Sequence, residues 1–304
     1  MDNTIKEENT INNPKNKRLL NLILVISLFL IVSFYLLKSP IREKDVIVHI
    51  GPNDTLTSIS SVLEQKKVIN NKFTFKMFVL FLGGDKHISK GDYLFVKGEP
   101  LYKVAWQISR GLHGVDPVRI TIKEGMTNDQ IAKLLADKIY SFRKDLFLSD
   151  ERARQGYLFP DTYFMYPMTT TDEILVEMTS NFSKKISSID KEIKSSGKSL
   201  SDIIIMASIL EKEASGKNDS PIISGILWKR LEMGMLLQVD AAPITYDKIG
   251  LPKNPISNPG LSTIMYAINP SSSPYLFYLH DDERNVHYAS DFSEHRSNIS
   301  KYLK

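Results

Sequence analysis

Two carboxylates arrive together at the end of one apolar run. The stretch "DIIIMASILEKEA" carries hydrophobic residues from Ile203 to Leu210 and then presents Glu211 and Glu213. A carboxyl group can give and take a proton, and near neutral pH it acts as an acid only where its surroundings disfavour the charged form. Residues two apart on a helix point about 200° from each other, so the pair cannot share a face. Glu211 shares its side with Ile204, Ala207, Ser208 and Ser215. Such a mostly small-residue face leaves volume beside a carboxyl group, for a neighbouring backbone or for a ligand. Glu213 has Lys217 at i+4, the spacing of an exposed ion pair. On this spacing either both glutamates lie on the polar side of the helix, or Glu211 faces a neighbouring backbone or a ligand while Glu213 is solvated.

Other chemistry is mostly excluded. The chain has no cysteine, which removes thiolate nucleophiles, disulfides and Cys-based zinc sites. No phosphate loop, dinucleotide fingerprint, HExxH or GxSxG stands where its context demands it. His280, His287 and His295 lack ligand spacing and read as hydrogen-bonding residues, so no metal and no cofactor is expected. A net charge of +4 over 304 residues, without a dense Lys/Arg stripe, argues against nucleic acid. Two polar stretches remain: "GYLFPDT", with Tyr157, and "LQVD", whose Gln238 and Asp240 fall on one side of an extended segment.

The elements that must position these residues read as an α+β chain. "DVIVHIG" alternates as a strand. "NDTLTSISSVLEQKK", capped by Asn53 or Asp54, and "KFTFKMFVLFLGG", closed by glycine, are helices. "GDYLFVKG" is a strand and "EPLYKVAWQISRG" a helix with proline near its start. "VRITIKEG" is a strand, followed by a helix with Thr127 at its cap. "GYLFPDTYFMYP" is expected to be irregular, and residues 171 to 196 a single long helix. After the Glu211 helix come "SPIISGILWKRLEMGM" as a helix and a loop with four prolines from 236 to 260. "LSTIMYAIN" is a helix, "YLFYLHDDERNVHYAS" a hairpin and "FSEHRSNISKYLK" a last helix. Strands are segregated from helices rather than alternating with them.

Residues 1–18 form a polar tail, and Leu19 to Leu37 contain no charge over a length that matches a bilayer core of about 30 Å. A transmembrane anchor over 19–38 is expected. A secretory signal peptide competes with it, but the apolar run is long and enters "KSPIREKD" rather than a small-residue cleavage site. Lys15, Lys17 and Arg18 precede the run without acidic neighbours, which keeps the N-terminus in the cytoplasm and puts the body outside the inner membrane.

The segments "IKEGMTNDQIAKLLA", "GYLFPDTY", "ASILEKEA", "GILWKRLEMGMLLQVD", "GLPKNPISNPG" and "SSSPYLFYLHDDERNVHYASDFSEH" occur in one order. That order resembles the membrane-anchored endolytic murein transglycosylases, the YceG-like family, from about residue 18 to the C-terminus. The resemblance implies a small LysM-like domain over 45–115 and a YceG-like transglycosylase domain over 116–304. It implies a lytic transglycosylase that cleaves the MurNAc-β-1,4-GlcNAc bond of peptidoglycan without water, leaves a 1,6-anhydro end, and trims nascent glycan strands. The family's catalytic glutamate falls on Glu211. Its Gln and Asp fall on Gln238 and Asp240, its NPG motif places Asn258 beside the same cleft, and Tyr157 is a further candidate to hold sugar. Glycan strands, the cytoplasmic membrane and peptidoglycan polymerases are the implied partners. The chain departs from the family at Gln155, where a Glu is usual, and in a shortened segment around Tyr246.

Two rival readings stand beside this one. In the first, Asp240 serves as a second carboxylate and the enzyme is a hydrolase, since ordinary glycosidases use two carboxylates about 5 to 9.5 Å apart. In the second, the chain is a non-catalytic glycan-binding scaffold.

Overall fold

The computed structural model describes residues 14–38, 40, 42–84, 88–213 and 219–303, so Ser215 and Lys217 lie outside it. Helix α1 (Pro14–Leu37) leads the chain, and its described side chains run unbroken from Lys17 to Leu30 with their apolar groups exposed. Among the described residues no helix is long and apolar enough to cross a membrane. The anchor expected over 19–38 therefore rests on sequence.

The chain divides into two compact units, 1–116 and 117–304. In the first, β1 (Val46–Ile50), α2 (Leu56–Gln65), α3 (Lys72–Phe81) and β2 (Gly91–Phe95) are followed by α4 (Leu101–Arg110). β1 and β2 pair antiparallel with Val48 opposite Tyr93, and α2, α3 and α4 bury Leu63, Phe75, Val79 and Ile108 against them. Thr55, rather than Asn53 or Asp54, caps α2: its hydroxyl accepts the Ser58 N–H while Ser58 returns the bond to the Thr55 N–H. Asp54 instead takes the Gly51 N–H and the Ser58 hydroxyl.

The second unit opens with β3 (Val118–Thr121), α5 (Asn128–Ala136), the short α6 (Lys144–Ser149), β4 (Thr162–Met165) and α7 (Thr171–Ser187). Thr127 caps α5 as expected. β4 is a correction, because its stretch was expected to be irregular. Tyr163 and Met165 are buried and Phe164 is exposed, an alternation obscured by Pro160 and Pro167 on either side, and the strand pairs antiparallel with β3. The expected long helix is two, α7 and α8 (Asp190–Ser196), because the chain turns between them to bury Ile189 in the neighbouring core.

That core is built on α9 (Leu200–Glu213), whose residues from Ile203 to Leu210 are all buried. Around it lie α10 (Ser220–Glu232), α11 (Leu261–Ile268) and the hairpin of β5 (Phe277–His280) and β6 (Val286–Ala289), and α12 (Phe292–Tyr302) closes the chain. Each fully buried Leu or Ile contributes about 1.5–3 kcal/mol, so α9 is fixed in place along most of its length. The two glutamates sit at its free end.

Candidate functional site: the carboxylates at the end of α9

The small-residue face of α9 is taken by backbone. Ser208 Oγ accepts the Ile256 N–H at 3.0 Å, and its carbonyl accepts the Ser257 hydroxyl at 3.1 Å. A larger side chain at 208 would push this segment away. The chain then runs to Gly260, whose N–H donates to Glu211 Oε2 at 2.9 Å. On the other side lies Gly125, where a Cβ would come within 3.3 Å of Glu211 Cγ. Glu211 is half-buried, and among the described residues its Oε1 makes no hydrogen bond.

Asn258 ties these strands of chain together. Its Oδ1 accepts the N–H groups of Gly156 and Leu158 at 2.9 and 3.1 Å. Its Nδ2 donates to Met126 O at 2.9 Å and to Asn128 Oδ1 at 2.8 Å. With 0% exposure and all four amide positions spent on the chain itself, Asn258 has nothing left to offer a sugar. In this structure Asn258 braces the loop that holds Glu211. Its backbone adds two more bonds, Gly125 N–H to Asn258 O and Asn258 N–H to Met126 O.

Glu213 points elsewhere. Its Oε1 accepts the Ala241 N–H at 2.9 Å and its Oε2 the Tyr278 hydroxyl at 3.3 Å. Glu213 is thus held by two bonds reaching across the fold, and its expected pairing with Lys217 lies outside the described residues. Glu213 borders a cavity of about 440 Å³ with Arg230, Gln238, Asp240, Tyr246 and Tyr278. Burial first, then the Glu213 charge, pushes the Tyr278 phenol well above its ordinary range. Tyr246 donates to Asp240 Oδ1 at 2.6 Å, and that bond, ahead of burial, raises its phenol to about 12. Arg230 is buried and satisfied by the carbonyls of Leu276, Leu236 and Leu237, and burial lowers its pKa. Gln238 and Asp240 are exposed on the rim, with Gln238 at φ +53°.

The sequence model of the YceG-like family matches residues 48–244 and 244–301. The chain belongs to the YceG-like family. Among relatives of this YceG-like chain is an endolytic murein transglycosylase of Bacillus subtilis (strain 168), 27% identical, the match covering 86% of this chain and 87% of that protein. Another endolytic murein transglycosylase, from Streptococcus pneumoniae serotype 2, is 24% identical over 86% of this chain, which spans 59% of the length of that relative. A crystal structure of a yceG-like protein from Listeria monocytogenes aligns with a TM-score of 0.55 at 25% identity, covering 84% of this chain and 99% of that one.

Two residues of this YceG-like chain gain a role that sequence reasoning missed. Gln155 donates to Pro255 O at 3.0 Å and accepts the Asn128 N–H at 3.2 Å, and a glutamate could not make the first of these bonds. Glu124, in the "IKEG" stretch, lies against Gly260, where a Cβ would meet its Oε1 at 1.8 Å. Its position just past β3, before a glycine, was the available signal. Tyr157 is half-buried between Arg154, at 4.6 Å over its ring, and Phe182 at 5.0 Å. His287 binds Asp281 and stacks on Tyr302, while His280 and His295 line the cavity. Among the described residues no group of acidic and histidine side chains is arranged to hold a metal ion.

Proposed function

We propose that this chain is a membrane-anchored murein lytic transglycosylase that cleaves the MurNAc-β-1,4-GlcNAc bond and leaves a 1,6-anhydroMurNAc end. The names of its relatives support the class of reaction. One observation carries the assignment to Glu211: one carboxyl oxygen is pinned by the Gly260 N–H while the other makes no bond among the described residues. A carboxyl group so held presents its free oxygen in a fixed direction.

In this reading Glu211 starts protonated and donates from Oε1 to the leaving glycosidic oxygen as the C1–O bond breaks. The resulting carboxylate takes the proton of the muramic C6 hydroxyl as O6 closes on C1. The nucleophile belongs to the substrate, so one carboxyl group performs both steps and no water is consumed. Gln238, Asp240 and Tyr157 are proposed to bind the strand, with Asn258 acting behind them. The β-α-α-β arrangement of the first unit supports the LysM-like reading of 45–115. The uncharged run from Leu19 to Leu37 and the flanking basic residues support an inner-membrane anchor with a cytoplasmic N-terminus, which would put the enzyme beside peptidoglycan polymerases.

A second reading gives the acid to Glu213, because Glu213 and not Glu211 borders the 440 Å³ cavity with Gln238 and Asp240. Cleavage of purified peptidoglycan by Glu211→Gln and Glu213→Gln separates the two. Loss in the first with a partial reduction in the second supports the proposal, and the reverse order transfers the role to Glu213. Wild-type protein that binds but never cuts the polymer would leave the scaffold reading.

A further inference from the structure

Helix α3, "KFTFKMFVLF", carries apolar side chains on its outer side as well as toward the core, more than a single core-facing stripe requires. Only Phe75 and Val79 are fully buried. Phe73, Met77, Leu80 and Phe81 recur at i, i+4, i+7 and i+8 on the outside, and Phe73 and Phe81 are 68% and 87% exposed. α4 adds Tyr102 and Trp106, one turn apart and also exposed. The two helices meet in an apolar cleft of about 420 Å³ lined by Phe78, Phe81, Leu82, Tyr102 and Trp106 with Lys103. A contiguous exposed face of this kind marks a partner.

Charge and tether narrow the choice. α3 and α4 carry Lys72, Lys76, Lys103 and Arg110 and no acidic residue, and the Arg110 guanidinium lies 4.6 Å over the Trp106 ring. Lys72 and Lys103 pair with Glu64 and Glu99 outside these helices. Aromatic rings and basic side chains around apolar residues are the composition of a membrane interface. The unit also cannot stray far from α1. Asn70 Nδ2, next to the Asn71 cap of α3, donates to Lys38 O, one residue beyond α1. Arg42 is fastened to Phe95 O and Val96 O at 3.3 and 2.7 Å, and the five residue steps from Leu37 to Arg42 reach at most about 18 Å.

We infer that the face made by Phe73, Met77, Leu80, Phe81, Tyr102 and Trp106 rests on the surface of an anionic bilayer, seating the first unit against the leaflet from which α1 emerges. The inference rests on the proposed anchoring of α1 and adds a second, peripheral attachment. The anionic headgroups meet Lys76 and Arg110, and the rings and Met77 enter the headgroup boundary.

The test uses the full chain in vesicles of phosphatidylethanolamine and phosphatidylglycerol, with and without bromine on the upper acyl chains. The chain has two tryptophans, so the Trp106 signal is the difference between wild type and Trp106→Phe. The chain floats with the vesicles after an alkaline wash, and bromine cuts the Trp106 signal by about half or more, as expected for a ring within the interface. Phe81→Glu, at a fully outward position, lowers that quenching without changing flotation. Quenching also weakens when phosphatidylcholine replaces phosphatidylglycerol. A chain that floats while Trp106 ignores bromine overturns the inference and leaves the anchor standing. So does a Trp106 signal that responds to soluble chito-oligosaccharide instead of bromine, which would assign the cleft to glycan. A chain that does not float overturns anchor and inference together.

Discussion

The two ends of the α9 carboxylate pair face different kinds of surroundings. Glu211 lies against backbone: the Gly260 N–H, the Gly125 turn and a loop braced from within by Asn258. Glu213 lies against side chains, the Tyr278 hydroxyl and the walls of a cavity, with one backbone N–H from Ala241. Backbone donors are fixed by the fold and move little, whereas a wall of tyrosine, arginine and glutamine adapts to what it holds. Under the proposed function this difference would divide labour between Glu211, held by backbone, as the proton carrier and a cavity walled by side chains two residues further on.

The largest effect expected from breaking this contrast is at Glu211. Glu211→Gln keeps an oxygen to accept the Gly260 N–H but loses the transferable proton, so cleavage falls by about 10²–10⁴-fold while the thermal midpoint stays near wild type. Asn258→Ala attacks the rigid side through stability. It leaves the Gly156 and Leu158 N–H groups buried and unpaired, a loss of about 2–4 kcal/mol read from denaturant midpoints. The adaptable side responds more mildly. Tyr278→Phe removes one bond to Glu213 and is expected to lower cleavage by about 10-fold or less, with a smaller stability loss of about 1 kcal/mol.

A smaller, pH-dependent effect sharpens the same comparison. The β5–β6 hairpin that brings Tyr278 to the cavity is tied at its turn by Asp281. The His287 bond, helped by the Asn285 and Glu283 N–H groups, lowers that carboxyl to about 2. Its folded pKa lies below the unfolded one, so its stabilisation is present above about pH 4 and is lost as pH falls toward 2. Asp281→Asn should flatten the acid limb of the stability profile across that window and lower stability at neutral pH, where the carboxylate's contribution is otherwise present in full.

Local patterns made much of this legible. The opposed directions of Glu211 and Glu213 follow from helical spacing alone, and of the two occupants open to the small face of α9, a neighbouring backbone or a ligand, the segment at 256–260 supplies the backbone. The strand-helix-helix-strand order of the first unit and the Thr127 cap were equally readable. What could not be read was set by distant chain. Glu213 finds Tyr278 65 positions away, and Asn258 spends its amide on residues 100 or more positions upstream, so neither role has a local signature. β4 was hidden by its flanking prolines, and the break between α7 and α8 has no glycine or proline to announce it.

The most direct measurement is the mass of the new sugar end released when the wild-type chain digests purified peptidoglycan. If Glu211 alone manages the proton and O6 of the substrate is the nucleophile, every new end is lighter than a reducing end by one water. Ends of full reducing mass would mean that water had entered, and a second carboxylate, with Asp240 first in line, would then be required.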